Sequence, residues 1–366
     1  MSAMEFVLSE LCDRVMTARA GRRPLCVRGG GTKSFYGNPG AQAPELLELG
    51  AYRGIVNYQP SELVVTARAG TPLAELEAAL AEQGQMLAFE PPHFGPGATV
   101  GGCVAAGLAG PRRQAAGGVR DFVLGTRLLD AQGRLLKFGG EVMKNVAGYD
   151  VSRLLAGSLG VFGVILEVSL KVVPRPRQEL TLELETTEAQ ALERFDAWRG
   201  QPLPVSASSW HQEAGGAGVL RLRLSGAEPA VRAAQARVGG QAMDAAAAQA
   251  WWQGLREQTH AFFAGGPLWR LAVAPRSAPL GLGPTLVEWG GGQRWLAGGF
   301  EPGAVRAAAR AAGGHATLFR ARQSGDIPAD GVFQPQAPAL AAISRRLKQE
   351  FDPLGIFNPG RLMPGL

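Results

Sequence analysis

The feature that most constrains this chain is the bunching of its 51 glycines. Glycine adopts positive φ at little cost and weakens the interior of a helix or strand, so a dense run marks a tight turn or a close approach to the backbone. Three such regions fall in the first half. VRGGGTKSFYG, Val27 to Gly37, follows the strand-like PLCVR. EPPHFGPGATVGGCVAAGLAGPRR runs from Glu90 to Arg113, with Gly95, Gly97, Gly101, Gly102, Gly107 and Gly110. The third is GGVRDFVLGTRLLD followed by GGEVMKNVAGYDVSRLLAGSLGVFGVILEVSLKV, where Gly157, Gly160 and Gly163 sit at the mouth of a long apolar strand. In the first, consecutive glycines can turn several N–H groups toward one anion, and a phosphate or pyrophosphate is the natural guest. A simple tight turn is the alternative. The segment contains neither the GxxxxGK[ST] phosphate loop nor a GxGxxG opening a helix.

The remaining sequence is that of a globular protein, with 46% hydrophobic and 19% charged residues, and 366 residues favour two domains. The net charge of +6 is carried mostly by arginines scattered along the chain, which argues against a nucleic-acid face. Cys12, Cys26 and Cys103 have no metal-ligand spacing and form no framework for an iron–sulfur cluster. A reducing cytoplasm fits them. No apolar run reaches the ~18 residues of a spanning helix, so any membrane association is expected through a partner.

Strand and helix patterns alternate irregularly, as in an α+β fold. LVVTARA reads as a strand, and LAELEAALAEQ as a helix capped by Thr71, with Pro72 at its first position and Gly84 after its end. FVLGTRLLD and RLLKF flank a hairpin connection at Ala131-Gln132-Gly133. Beyond the strand GVILEVSLKVV, the prolines of KVVPRPRQE mark a boundary near Pro174 to Pro176. All seven Trp lie after it. ELTLELE, GVLRLRLSG, LWRLAVA, RWLAGGF and HATLFR read as strands there, TTEAQALERFDAWRG as a helix, and ALAAISRRLKQEF as a last helix stopped at Asp352-Pro353.

Taken together, these segments resemble the FAD-binding superfamily of vanillyl-alcohol oxidase and p-cresol methylhydroxylase. RGGGTK resembles its pyrophosphate loop, ATVGGCVAAGLAGP its second FAD segment, NVAGYDVSRLLAGSLGVFGVI its third, and FDPLGIFNPGRL the returning tail of its 2-hydroxy acid dehydrogenase branch. Within it, the chain is most similar to the FAD-binding E subunits of bacterial glycolate oxidases, through RGIVNYQPSELVVTARAGTPL, EPPHFGPGATVGG, FGGEVMKNVAGYD, EWGGGQRWL and AGGHATLFR. The resemblance implies an FAD-binding domain over 1–174, a smaller α+β cap over 175–330, and a helix and tail over 331–366 returning to the flavin. It also implies that Arg28, Gly29, Gly30, Gly31, Thr32 and Lys33 wrap the pyrophosphate. Pro91, Thr99, Gly101, Gly102 and Gly107 would line the flavin and its ribityl chain, Asp121, Gly160 and Val164 the adenine or phosphate side, and Asn358 of the tail would complete the site. Members with a covalent flavin carry a loop His where this chain has Gly31-Thr32, so noncovalent FAD is expected, and Cys103 is expected as a buried apolar residue.

The implied chemistry is oxidation of a 2-hydroxy acid, glycolate, to glyoxylate. It needs a base for the hydroxyl proton and a cation for the carboxylate. His93 and His315 are the candidate bases, and Arg270, Arg294 and Arg320 the candidate carboxylate partners. The resemblance further implies a larger homologous flavoprotein and an iron–sulfur subunit as partners. It leaves open three roles: an enzyme subunit passing electrons to the iron–sulfur protein, a structural or electron-carrying module docked through its Trp-bearing domain, and a free-standing 2-hydroxy acid dehydrogenase.

Overall fold

Period-two alternation of Val and Leu with polar residues dictates strands buried on one face or both, and the computed structural model, which describes residues 3–40, 44–141, 149–212 and 216–366, gathers them into two large antiparallel sheets. The first has five strands in the order Ile55–Gln59, Val64–Arg68, Val164–Lys171, Val123–Leu129, Leu135–Gly139. Its central strand, VILEVSLK, is buried along most of its length, as two-sided coverage demands. The hairpin between Val123–Leu129 and Leu135–Gly139 closes as expected: Asp130 accepts from the N–H of Gln132 and of Arg134, both at 2.9 Å, and Gly133 takes φ +76°. One boundary moves. The helix expected from Thr71 spans Leu73–Glu82, because the Thr71 hydroxyl instead accepts from Gly54 N–H at 2.9 Å. Residues 142–148, which include the first four residues of NVAGYDVSRLLAGSLGVFGVI, lie outside the described residues.

The second sheet has eight strands, ordered Gln241–Ala242, Gln178–Glu185, Gly218–Gly226, Val205–Gln212, Thr285–Glu288, Gln293–Ala297, Leu268–Ala272, His315–Arg320. The chain passes from one sheet to the other between Pro174 and Gln178. Helices Glu188–Arg199 and Glu228–Val238 cover one half of its outer face and helix Pro302–Ala311 the other. Its inner face carries Leu268, Leu286, Trp295 and Phe319, which share a core with Tyr36, Ala106 and Leu108 of the first half. No Trp is exposed. Trp210, Trp252, Trp269 and Trp295 are buried, and Trp198, Trp251 and Trp289 are half-buried.

Two polar ties join the halves. Glu90 accepts from Arg112 (backbone N, 2.8 Å) and from Arg223 Nη2 (2.8 and 3.0 Å). Glu257, just past helix Ala245–Arg256, accepts from the N–H groups of His93 (3.0 Å) and Phe94 (2.8 Å). No helix among the described residues is long and apolar enough to cross a membrane.

The last helix, Pro338–Phe351, ends at a buried ion pair. Lys348 Nζ donates to Asp352 Oδ2 (2.7 Å), Val161 O (2.6 Å) and Phe357 O (2.9 Å), while Asp352 accepts from the N–H of Ile356 (3.0 Å) and Phe357 (2.7 Å). Every strong donor and acceptor in the cluster is used, as burial of charge requires. Leu25 and Phe357 then pair in parallel, so the tail adds a third rung to the small sheet of Leu25–Arg28 and Glu45–Glu48. Asp352→Ala would strand the Lys348 charge, and a loss of about 3–5 kcal/mol in urea unfolding is expected. A loss below about 1 kcal/mol would show that the clamp does not hold the tail.

Candidate functional site

Gly29 and Gly30 press directly against Thr99 and Gly97 of the second Gly-rich segment. A Cβ on Gly29 would stand 2.1 Å from Thr99 Oγ1, and one on Gly30 would stand 1.5 Å from Gly97 O. Gly31 has φ +73° and starts a turn closed by Ser34 N–H to Gly31 O (3.1 Å). Gly29 and Gly30 leave no room for a Cβ, and the positive φ of Gly31 favours glycine. Thr99 then caps helix Val100–Ala106, its hydroxyl accepting from Gly102 N–H at 3.2 Å. A helix forms here despite two glycines because Gly101 lies where a Cβ would come within 2.5 Å of Ala69 Cβ, so the close packing of helix on strand needs it.

These elements enclose a cleft of about 230 Å3 whose walls include Arg28 to Lys33, Thr99, Gly102, Leu159 and Asn358. An inner recess of about 50 Å3 shares Gly29, Thr99, Gly102, Leu159 and Asn358 and continues past Gly101, Gly160 and Gly163. Among the described residues, no protein acceptor takes the backbone N–H of Gly29, Gly30, Gly31 or Thr32, all on the cleft wall. Unpaired main-chain donors in a row are what an anion requires. Asn358, at φ +40°, ties the far wall: its Oδ1 accepts from Val27 N–H (2.8 Å) and its Nδ2 donates to Leu159 O (2.7 Å). Arg361 fastens the rest of the loop, donating to Tyr36 O (2.6 Å), Asn38 O (3.0 Å) and Ser34 O (3.2 Å).

Not every residue expected at the cofactor reaches this cleft. Pro91 is buried away from its walls. Gly107 ends the helix at φ +65°, where a Cβ would stand 2.8 Å from Gly157 Cα, so its role is packing. Asp121 is exposed and spends its carboxylate on Gly118 N–H (2.8 Å). Val164 points into the core while its neighbours Gly163 and Ile165 line the recess, a one-residue slip that reverses a strand side chain. Arg28 is on the wall but pairs with Glu48 at 2.7 Å. Lys33 donates to His93 O (3.1 Å), and burial pushes its ammonium below the usual value. Arg361 and Leu159 were missed individually, although both lie inside motifs recognised as wholes.

The candidate catalytic residues separate by sheet face. In the antiparallel register Arg270 stands opposite Trp295 and Thr317 on the inner face. Its Nη2 donates to the Tyr36 hydroxyl (3.1 Å), and its guanidinium lies 5.5 Å from the Phe319 ring centroid. Arg320 lies over Phe35 at 4.4 Å and donates to Gln258 Oε1 at 2.9 Å. Around them Phe35, Phe94, Tyr36, Trp295 and Phe319 form one cluster, with centroids 5.1 to 6.3 Å apart along its contacts. Arg294 must be corrected: it stands opposite Leu271 and Val287 on the outer face, fully buried, donating to Ser277 O at 3.2 Å. Burial lowers it to about 10, with Glu188 opposing. His93 is engaged by Glu77 at 2.9 Å on helix Leu73–Glu82. His315 opens the edge strand, exposed, its basicity lowered by partial burial and by Arg270. Sequence reasoning missed Glu288, a buried carboxyl on the inner face accepting from Trp295 Nε1 (2.6 Å) and Gln293 Nε2 (2.9 Å).

Comparison with known proteins places this geometry. Residues 8–139 match the FAD binding domain family. Glycolate oxidase subunit GlcE of Escherichia coli (strain K12) is 47% identical over 355 residues, 96% of each chain. The chain belongs to the GlcE family. Glycolate oxidase subunit GlcD of Bacillus subtilis (strain 168) is 29% identical to this GlcE-family chain over 46% of it and 36% of GlcD. A D-lactate dehydrogenase of Archaeoglobus fulgidus is 34% identical over 44% and 36% of the two chains. The solved structure of an alkyldihydroxyacetonephosphate synthase superposes with TM-score 0.68 at 14% identity, covering 96% of this chain and 74% of that one, which shows the shared fold. FAD is the cofactor of this family domain, and the unpaired N–H groups of Gly29 to Thr32 fit its pyrophosphate. Gly30→Ala is expected to abolish flavin retention, read as the visible flavin absorbance of purified protein relative to its 280 nm absorbance. Gly50→Ala, where a Cβ meets nothing within 4 Å, should leave that ratio unchanged.

Proposed function

We propose that this chain is the FAD-bearing E-type subunit of a glycolate-oxidising assembly, working beside a larger homologous flavoprotein and an iron–sulfur subunit. The observation that carries the reading is a Gly-walled cleft with four consecutive unpaired N–H groups in a chain 47% identical over 96% of its length to a glycolate oxidase subunit. Gly29, Gly30, Gly31 and Thr32 would hold the pyrophosphate, with Lys33 and the N-terminal turn at Thr99 and Gly102 as neighbouring donors. The recess past Gly101, Gly160 and Asn358 would take part of the chain that follows it. Bound FAD supplies a two-electron acceptor for a 2-hydroxy acid. The chain's own residues bind, orient and exclude water, and pass no electrons without it.

Attachment is noncovalent in this reading. Burial pushes the Cys103 thiol up to about 12, so no thiolate forms near neutrality to attack the flavin ring. Acid precipitation should therefore release all flavin to the supernatant, and flavin that stays with the pellet would contradict it.

The assembly itself is tested by anaerobic glycolate titration of the purified chain with its partner subunits while flavin absorbance is followed. FAD at one per chain, and bleaching of that flavin in the assembly, are the expected results. Bleaching that requires the larger flavoprotein supports the electron-carrying role, and a chain that retains no FAD under any condition refutes the reading.

A further inference from the structure

Most buried arginines of this protein meet a carboxylate: Arg112 and Arg223 share Glu90, and Arg306 pairs with Asp330. Arg270 does not. It is half-buried on the inner face of the large sheet, its only hydrogen bond among the described residues goes to the Tyr36 hydroxyl, and its guanidinium is flanked by the Tyr36 and Phe319 rings at 5.8 and 5.5 Å. A cation held by aromatic faces and a neutral hydroxyl keeps its charge available to an anion. Diagonally across Trp295, on the same face, stands the buried Glu288, with Oε2 fixed by Trp295 and Gln293. Arg270 and Glu288 line one cavity, together with Phe94 and Phe319.

We propose that Arg270 and Glu288 form the substrate site of this chain, Arg270 binding the carboxylate of a small 2-hydroxy acid and Glu288 accepting its hydroxyl proton. The inference rests on the FAD-dependent oxidation proposed above. It assigns the base to a glutamate in place of His93, which Glu77 occupies, and of His315, which lies exposed on the edge strand. In the balanced step the O–H proton passes to the Glu288 carboxylate, the adjacent C–H bond breaks with its electron pair leaving as hydride to FAD, and the carbonyl of the 2-oxo acid forms. Glu288 is left neutral and the cofactor reduced by two electrons.

The surroundings suit that role. Burial pushes Glu288 up to about 7, opposed by the hydrogen bonds from Trp295 and Gln293 and reinforced by Glu90, so the group both takes and returns a proton near neutrality. The charged groups around it are Arg270, two strands away across Trp295, Arg256 from helix Ala245–Arg256 and Glu90 from the first half. At about 20 Å3 the cavity has room for one water. Entry of an acid therefore displaces Phe94, a non-glycine residue at φ +54° whose N–H is held by Glu257 from the second half. That backbone is strained where the site must open.

The test is anaerobic mixing of the FAD-loaded full chain, without partners, with glycolate, in wild type and in Glu288→Gln, Glu288→Asp and Arg270→Met, each first checked for flavin content and melting temperature. Wild type should bleach at a rate that rises with pH through about 7. Glu288→Gln should keep glycolate binding within about threefold, measured by calorimetry, yet bleach at least ~100-fold more slowly and without that pH dependence. Glu288→Asp should recover part of the rate, and Arg270→Met should weaken glycolate binding about tenfold or more. An FAD-loaded wild type that glycolate does not bleach, or a Glu288→Gln variant with the rate and pH profile of wild type, overturns the inference and leaves the FAD-subunit reading standing. Failure of the wild type to hold FAD removes that reading instead.

Discussion

The buried pair of Lys348 and Asp352 holds together what the cleft needs. A lysine ammonium and an aspartate carboxylate, 6% and 1% exposed, are tolerable inside a protein only because every donor and acceptor is matched. Burial lowers the Lys348 pKa while Asp352 opposes that shift. The backbone atoms they recruit, Val161 O, Phe357 O, and the N–H groups of Ile356 and Phe357, set the path of the tail. That path brings Asn358 between Val27 and Leu159, and so fixes the distance between the Gly-rich loop and the third Gly-rich segment. Remove the pair and the loop keeps its glycines but loses its opposite wall.

The Gly-walled cleft was largely legible in the sequence because its constraints are local. Three adjacent glycines, a Thr followed by two glycines, and a tail of fixed composition each declare a backbone constraint that holds whatever the rest of the chain does. The failures were of a different kind. The family resemblance put Asp121 near the adenine or phosphate side, whereas its carboxylate accepts from Gly118 N–H in a turn; Val164 is one residue from the wall that Gly163 and Ile165 form. Strand side chains alternate faces, so a slip of one position converts a lining residue into a core residue.

The arginines show the limit more sharply. Arg270 and Arg294 lie on adjacent antiparallel strands, with near-identical apolar neighbours, and nothing in WRLAV or QRWLA says which face each takes. Register decides it: Arg270 opposes Trp295 and faces the first half, whereas Arg294 opposes Leu271 on the outer face, near Glu188 of helix Glu188–Arg199. Glu288 escaped notice for the same reason, since a lone glutamate in a strand normally faces solvent. Its burial follows from two donors, Trp295 and Gln293, that only the folded sheet brings to it.

The bond from Val27 N–H to Asn358 Oδ1 spans 331 positions of sequence. A growing chain that has already exposed its glycine loop, both large sheets and every candidate catalytic residue still lacks one side of its cofactor pocket. Contacts local in sequence therefore cannot complete this pocket. Until the stretch around Asn358 docks, Leu25–Arg28 lacks its parallel neighbour at Phe357 and the cleft stays open on the side that Asn358 closes.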